Sequence, residues 1–179
     1  MLIDGRSGSG KTELARAIVD GWPGAQLVRL DDLYPGWEGL DAACALVPSI
    51  LTTLRWQAWD WTVGAPGAWH ELEASRPIVI EGVGALSVRS RRLADVAVWV
   101  ELDDTSRKIR ALARDGDSYA PFWQRWAAQE LTFIARENPK SLASLQVSGV
   151  DTLVATAKVR AALSPWSTSA RRRHRAGEW

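Results

Sequence analysis

The sequence predicts a doubly wound α/β domain built on a mostly parallel sheet, and three observations carry that prediction. Residues Gly5–Thr12 read Gly-Arg-Ser-Gly-Ser-Gly-Lys-Thr, a complete G-x-x-x-x-G-K-[ST] phosphate-binding loop between an apolar start and a helical pattern. Two apolar runs, Pro77–Ile80 and Ala94–Leu102, lead into acidic residues, as buried parallel strands in such sheets do. Strand-like and helix-like segments alternate along the chain, which favours parallel strands joined by helical crossovers.

Each element has a local reason. Residues 1–4 form a first strand with room for only about four residues, so either the strand is short or the native chain begins upstream of Met1. Residues 10–21 have helical spacing and stop at the breaker Gly21-Trp22-Pro23-Gly24. Gln26–Leu30 is the second strand and runs into Asp31-Asp32. Leu40–Leu54 is helical in spacing, but Pro48 predicts two helices or a kink. A Gly- and Pro-rich loop over 62–68 leads to a short predicted helix around Trp69–Ser75. The Pro77–Ile80 strand ends in Glu81-Gly82, and Ala94–Leu102 ends in Asp103-Asp104. Residues 104–114 and 119–137 read as helices split by Asp115-Gly116-Asp117. Leu145–Val150 is the last strand and 152–163 the last helix. Residues 1–163 make one domain, with a helical lid at about 104–125; residues 164–179 are a basic tail with four arginines, expected to be solvated and poorly ordered.

Composition narrows the function classes. The 179 residues suit a single core, with 46% apolar and 24% charged residues. A net charge of +1 gives no reason to expect a nucleic-acid or membrane partner, and it leaves the oligomeric state open. Cys44 is the only cysteine, so no internal disulfide or multi-cysteine metal site can form. No signal peptide or membrane-spanning run is present, which makes the cytoplasm the expected compartment. Eleven tryptophans are a marked excess, and Trp56, Trp59 and Trp61 cluster; they form either core or a stacking wall for a flat ligand.

The octet assigns roles by its chemistry. Gly5, Gly8 and Gly10 let the backbone turn its N–H groups, with those of Ser7 and Ser9, into one concavity for phosphate oxygens. The following helix adds its positive dipole end there. Lys11 reaches the β- and γ-phosphates, and the Thr12 hydroxyl joins a Mg²⁺ shell. Asp31, about 20 residues beyond Lys11, can accept a proton from an attacking hydroxyl, or it can simply cap a turn. Arg107, Arg110 and Arg114 share one helix face ahead of Gly116, where they either meet phosphates or form a solvated basic face. Arg125, Trp126 and Glu130 share a face of the next helix and either close over the site or, more simply, pack. His70 reads as structural, and Asp103 competes with Glu81 as an acidic Mg²⁺ partner.

Taken in order, Gly5–Thr12, Asp31-Asp32-Leu33-Tyr34, Trp59-Asp60-Trp61 and Val79–Val83 resemble the uridine kinase and nicotinamide riboside kinase group of P-loop kinases. The resemblance covers residues 1 to about 137. It implies that Asp31 is the catalytic base beside Mg²⁺, that Tyr34 frames the acceptor, and that Asp60 holds sugar hydroxyls. It further implies a metal-shell role for Glu81 and a lid whose Arg110 and Arg114 close on the phosphates. Trp56, Trp59 and Trp61 would position the acceptor alongside Asp60. Leu33 stands where that group has an aromatic, and the Tyr34–Asp60 stretch is short and tryptophan-rich, so the acceptor pocket differs from that of an ordinary uridine kinase. The expected activity is transfer of the γ-phosphoryl group of Mg·ATP to a hydroxyl of a small metabolite, a nucleoside or riboside above all. The competing expectation is a nucleotide-binding regulator or partner-gated NTPase. A guanine-specific switch is disfavoured, because no Asn-Lys-x-Asp signature is present.

Overall fold

The computed structural model describes residues 1–175, with side chains through residue 164. Five strands form the main sheet: β1 (Leu2–Asp4), β2 (Gln26–Arg29), β5 (Ile78–Glu81), β6 (Ala97–Glu101) and β7 (Leu145–Ser148). Their order is β2-β5-β1-β6-β7 and every neighbouring pair is parallel. Alternate residues of each strand face opposite sides, so two cores form. Leu2, Val28 and Ile80 join α2 (Leu40–Thr53) and α5 (Trp123–Glu137) on one face. Ile3, Val79 and Val98 join α1 (Lys11–Asp20) and α7 (Thr152–Arg175) on the other. Leu2, Ile3, Val79 and Ile80 are wholly buried, as strands covered by helices on both faces require.

The doubly wound expectation therefore holds, and β1 is short but central. The helix α4 (Asp104–Asp115) begins where its N-cap Asp103 accepts a hydrogen bond from Ser106 N at 2.9 Å. Two short 3₁₀ turns, Gly116–Ser118 and Ala120–Phe122, delay the start of α5 to Trp123, later than the expected 119. Two four-residue helices, α3 (Val88–Arg91) and α6 (Pro139–Leu142), complete the crossovers around β6.

Three expectations need correction or limits. First, the loop at 62–68 and the helix at Trp69–Ser75 are replaced by a β-hairpin. It pairs β3 (Arg55–Asp60) with β4 (Ala65–Glu71) antiparallel, outside the main sheet. The period-two alternation of Arg55-Trp56-Gln57 against Trp69-His70-Glu71 explains it, and Trp56 stacks on His70 at 4.2 Å between centroids. Gly64, at φ 65°, supplies the turn. Pro66 is tolerated because every strand of a two-stranded ribbon is an edge. Second, α2 is one continuous helix with Pro48 inside it. Burial of Leu40, Ala43, Cys44, Val47 and Ile50 on one face holds the helix together across the missing N–H. Third, α7 continues as helix to Arg175, past the boundary placed at 163. The side chains of the basic tail from 165 on, and all of residues 176–179, lie outside the described residues. Among the described residues, no helix is long and apolar enough to cross a membrane.

Because Pro48 removes a helix hydrogen bond and crowds the preceding turn, Pro48→Ala is expected to stabilise the protein by about 1–3 kcal/mol. Urea unfolding should show a higher midpoint with an unchanged slope.

Candidate active site

The phosphate-binding loop leaves the carboxyl end of the central strand, where ligands sit in sheets of this kind. Gly8 and Gly10 adopt φ 78° and 97°. A Cβ on Gly8 would strike the Arg107 carbonyl, so close backbone approach as well as conformation demands glycine there. Gly10 then caps α1. Arg6 O accepts from Ser9 N at 3.1 Å and from Lys11 Nζ at 3.0 Å, which curls the loop around its own lysine. Among the described residues, the amides of Gly8 and Gly10 donate no hydrogen bond. Together with the unpaired amides of the first turn of α1 they form a concave set of donors suited to phosphate oxygens. Beneath the loop, buried Asp4 accepts from the amides of Gly5 (2.6 Å), Gly84 (3.2 Å) and Leu86 (2.8 Å). Burial pushes its carboxyl up to about 7, against the pull of those N–H groups and of Lys11.

Beside the loop, the start of α1 and the ends of β2 and β5 bring oxygen ligands together. Thr12 Oγ1 donates to Glu81 Oε1 at 3.0 Å. Arg29 bridges two carboxylates, with Nη2 at 3.2 Å from Asp31 Oδ2 and Nε at 3.5 Å from Glu81 Oε1. Glu81 is buried, and desolvation followed by the nearby Asp31 charge raises its pKa. Asp31 sits in a 3₁₀ turn (Leu30–Asp32) after β2, with its side chain 45% exposed. Its carbonyl accepts from Trp61 Nε1 at 2.9 Å, which ties the hairpin to the acidic turn. A hydroxyl and two carboxylates are hard oxygen donors, the set Mg²⁺ prefers when it also keeps water and phosphate ligands. Among the described residues, no group of three or more His, Cys, Asp or Glu side chains forms a self-sufficient metal cage.

Two clefts flank the loop. One, of about 440 Å³, runs over Gly8, Gly10 and Lys11 to Arg110, Gly149 and Thr152. The other, of about 570 Å³, is lined by Asp31, Arg29 and Arg16 with Trp37, Trp61, Tyr119 and Trp126. Thr12, Glu13 and Arg114 line both. Trp37 organises the aromatic wall: it stacks on Tyr119 (5.2 Å, 10°) and Phe122 (4.6 Å, 8°), and Trp61 leans against it at 5.1 Å.

The structure gathers Gly5–Thr12, Asp31, Glu81 and Arg114 at one place, but the amides of Gly5, Ser7 and Ser9 do not join the concavity, because they donate to Asp4, Glu130 and Arg6 O. Arg110 lines the smaller cleft and donates to Gly149 O at 2.7 Å. Arg114 makes a two-pronged contact with Asp115, at 2.8 and 2.7 Å. The remaining candidates fall elsewhere. Trp56 and Trp59 line a separate apolar cavity of about 490 Å³ between the hairpin and α2; a bulge between Gln57 and Trp59 breaks the strand alternation, so both reach it. The Asp60 carboxylate accepts from Thr62 N (2.8 Å) and Val63 N (3.3 Å), so it shapes the hairpin turn and lines neither cleft beside the loop. Tyr34 contributes a ring edge to the larger cleft, but its hydroxyl is spent on Val83 O at 2.8 Å and it is 2% exposed. Asp103 caps α4 instead of meeting the Thr12–Glu81 cluster.

Arg29, Trp37 and Tyr119 escaped the sequence reading. Arg29 is a single basic residue in a strand pattern, with nothing local to mark it. Trp37 and Tyr119 come from separate segments that only the fold brings beside Trp126, the one of the three already offered by its helix face as closing over the site. Arg107, wholly buried, donates to Ser7 O at 3.0 Å and pairs with Asp104. It supports the loop from behind.

No protein-family model matches the chain, and no curated protein does. Solved structures do. A structure described as a possible uridine kinase from Bacillus stearothermophilus superposes with a TM-score of 0.53 at 19% identity, covering 81% of this chain and 85% of that one. An uncharacterized protein from Eubacterium ventriosum ATCC 27560 superposes with a TM-score of 0.54 at 13% identity, covering 90% and 96%. Parallel order β2-β5-β1-β6-β7, the loop after β1 and these likenesses agree: the chain has the α/β P-loop kinase fold.

Proposed function

We propose that the protein is an ATP-dependent phosphotransferase that moves the γ-phosphoryl group to a hydroxyl of a small metabolite, with a nucleoside or riboside as the favoured class. The observation that carries this reading is the meeting of two clefts at Thr12, Glu13 and Arg114, with Asp31 on the aromatic side. A hydrolase needs room only for water beside the γ-phosphate, whereas 570 Å³ walled by indoles accommodates a ring-bearing acceptor.

In this reading the smaller cleft holds ATP, with its phosphates on the free amides of Gly8, Gly10 and the first turn of α1 and its base toward Arg110 and Gly149. Thr12, Glu81 and Asp31 would hold Mg²⁺, which would screen the phosphate oxygens and the charge that develops on transfer. The acceptor hydroxyl lies against Asp31, which takes its proton as the oxygen bonds to the γ-phosphorus and the bond to ADP breaks. Arg114, swung from Asp115 toward the shared edge, neutralises charge on the transferring group, and Lys11 does so from the loop. Trp61 and Trp37 hold the acceptor's flat part and exclude water, and binding there converts an encounter into an oriented reaction. The likeness to a possible uridine kinase supports the choice of acceptor class.

An ADP-release screen over nucleosides, ribosides, vitamins and sugars with Mg·ATP tests the proposal. A saturable, acceptor-dependent signal is expected, while slow hydrolysis indifferent to every acceptor would favour a nucleotide-binding regulator. With the acceptor in hand, Asp31→Asn should lower kcat by about 100-fold or more while leaving Mg·ATP affinity nearly unchanged. Equal losses in turnover and affinity would remove Asp31 from the role of base. Trp61→Ala should raise the acceptor KM about tenfold through lost stacking, measured by initial rates at saturating ATP.

A further inference from the structure

The first half of the phosphate-binding loop is held by side chains from outside it. Glu130, on α5 and 1% exposed, accepts from Ser7 N at 2.8 Å through one carboxylate oxygen and from Arg6 Nε at 2.9 Å through the other. Arg107, on α4 and 2% exposed, donates to Ser7 O at 3.0 Å and lies 3.9 Å from the same Glu130 oxygen. Arg6 is tied in turn to Asp104 at 3.0 Å. The peptide groups on both sides of Ser7 are thus engaged: Arg6 O by Lys11 and Ser9, Ser7 N by Glu130, and Ser7 O by Arg107.

A buried carboxylate next to a phosphate site is costly unless it serves a purpose, since it repels the ligand the site must take. Here its charge is absorbed by Arg6 and Arg107, and its geometry fixes the loop's entry. We propose that Glu130 is a positioning residue for nucleotide phosphate. It acts through Ser7 and Arg6 to hold the loop in its phosphate-accepting shape before the nucleotide arrives, so binding does not have to order the backbone. This rests on the nucleotide-binding part of the proposed function and on no assumption about the acceptor.

Titration calorimetry with ADP and with adenosine separates the phosphate contribution from that of the base. Glu130→Gln keeps an acceptor for Ser7 N but sets an amide NH₂ against Arg6 or Arg107. It should weaken ADP binding about tenfold or more and leave adenosine binding unchanged, with the ADP-induced rise in Tm falling accordingly. Arg6→Gln, at a partly exposed position, should shift the ADP-to-adenosine ratio the same way and decides the matter if Glu130→Gln does not fold. Arg136→Gln, which removes the Asp41 pair on the far part of α5, serves as the stability control and should leave the ratio alone. A ratio within about twofold of wild type in the Glu130 and Arg6 variants, or an equal fall in the control, would overturn the positioning role alone. Failure of the wild-type protein to bind ADP would overturn both this role and the nucleotide reading beneath it.

Discussion

Close packing of backbone on backbone around the loop is the constraint from which the rest of the site follows. At Gly5, Gly8 and Gly149 a single added methyl would meet the carbonyl of Val100, Arg107 or Ser9. Strand β6, helix α4 and the loop after β7 therefore touch the phosphate-binding loop through main chain. Main-chain contacts of this kind leave few alternative arrangements, because nothing can repack by rotamer change. The amides left over, those of Gly8, Gly10 and the first turn of α1, are unpaired, while the carbonyls of Arg6 and Ser7 and the amides of Gly5, Ser7 and Ser9 are committed. The hollow is what remains when the surroundings are satisfied.

Charge is handled by the same economy of partners. Asp31 and Glu81 lie close enough to raise the pKa of Glu81, and Arg29 stands between them. Arg107, Arg6 and Glu130 form a second set behind the loop, two cations to one buried anion. Removing one member of such a buried group typically costs 3–5 kcal/mol, because the partner is left uncompensated in low dielectric. The two sets bracket the phosphate position from opposite sides. The front set leaves Asp31 45% exposed, and the rear set is shut from solvent except at Asp104 and the edge of Arg6.

Legibility followed the range of the interactions. The loop, the parallel strands and the acids at their carboxyl ends were readable because each is written in a few consecutive residues. Lys11, Thr12, Asp31 and Glu81 met as expected, since the topology of such a sheet carries strand ends to one edge. Arg110 and Arg114 shared a helix face, and both reached the clefts beside the loop. The hairpin was misread because glycine and proline at 64–67 look like a loop, while the pairing that makes β4 a strand comes from β3. Trp56, Trp59 and Asp60 followed that error: once they lie on a ribbon, the bulge and turn geometry decide where they point. Arg107 and Glu130 were visible only as members of helix faces, and their opposite number, the Ser7 peptide, is more than 95 residues away in the chain. No periodicity reports a contact of that kind.

Helix α5 joins what the two clefts need. Trp126 and Glu130 are one turn apart on its buried face, the spacing at which side chains share a direction. Trp126 closes the aromatic cleft, edge-on to Tyr34 at 4.7 Å and to Trp37 at 6.2 Å, whereas Glu130 grips the phosphate-binding loop. Any shift of this helix large enough to widen the aromatic cleft would also pull on the Ser7 amide. The reverse holds as well, since a loop drawn toward phosphate would carry Trp126 with it. The two halves of the site are thus mechanically one, and the connecting piece is a rigid helix. Under the proposed phosphotransfer, that arrangement would suit a reaction in which the acceptor is enclosed only when the donor phosphate is in place.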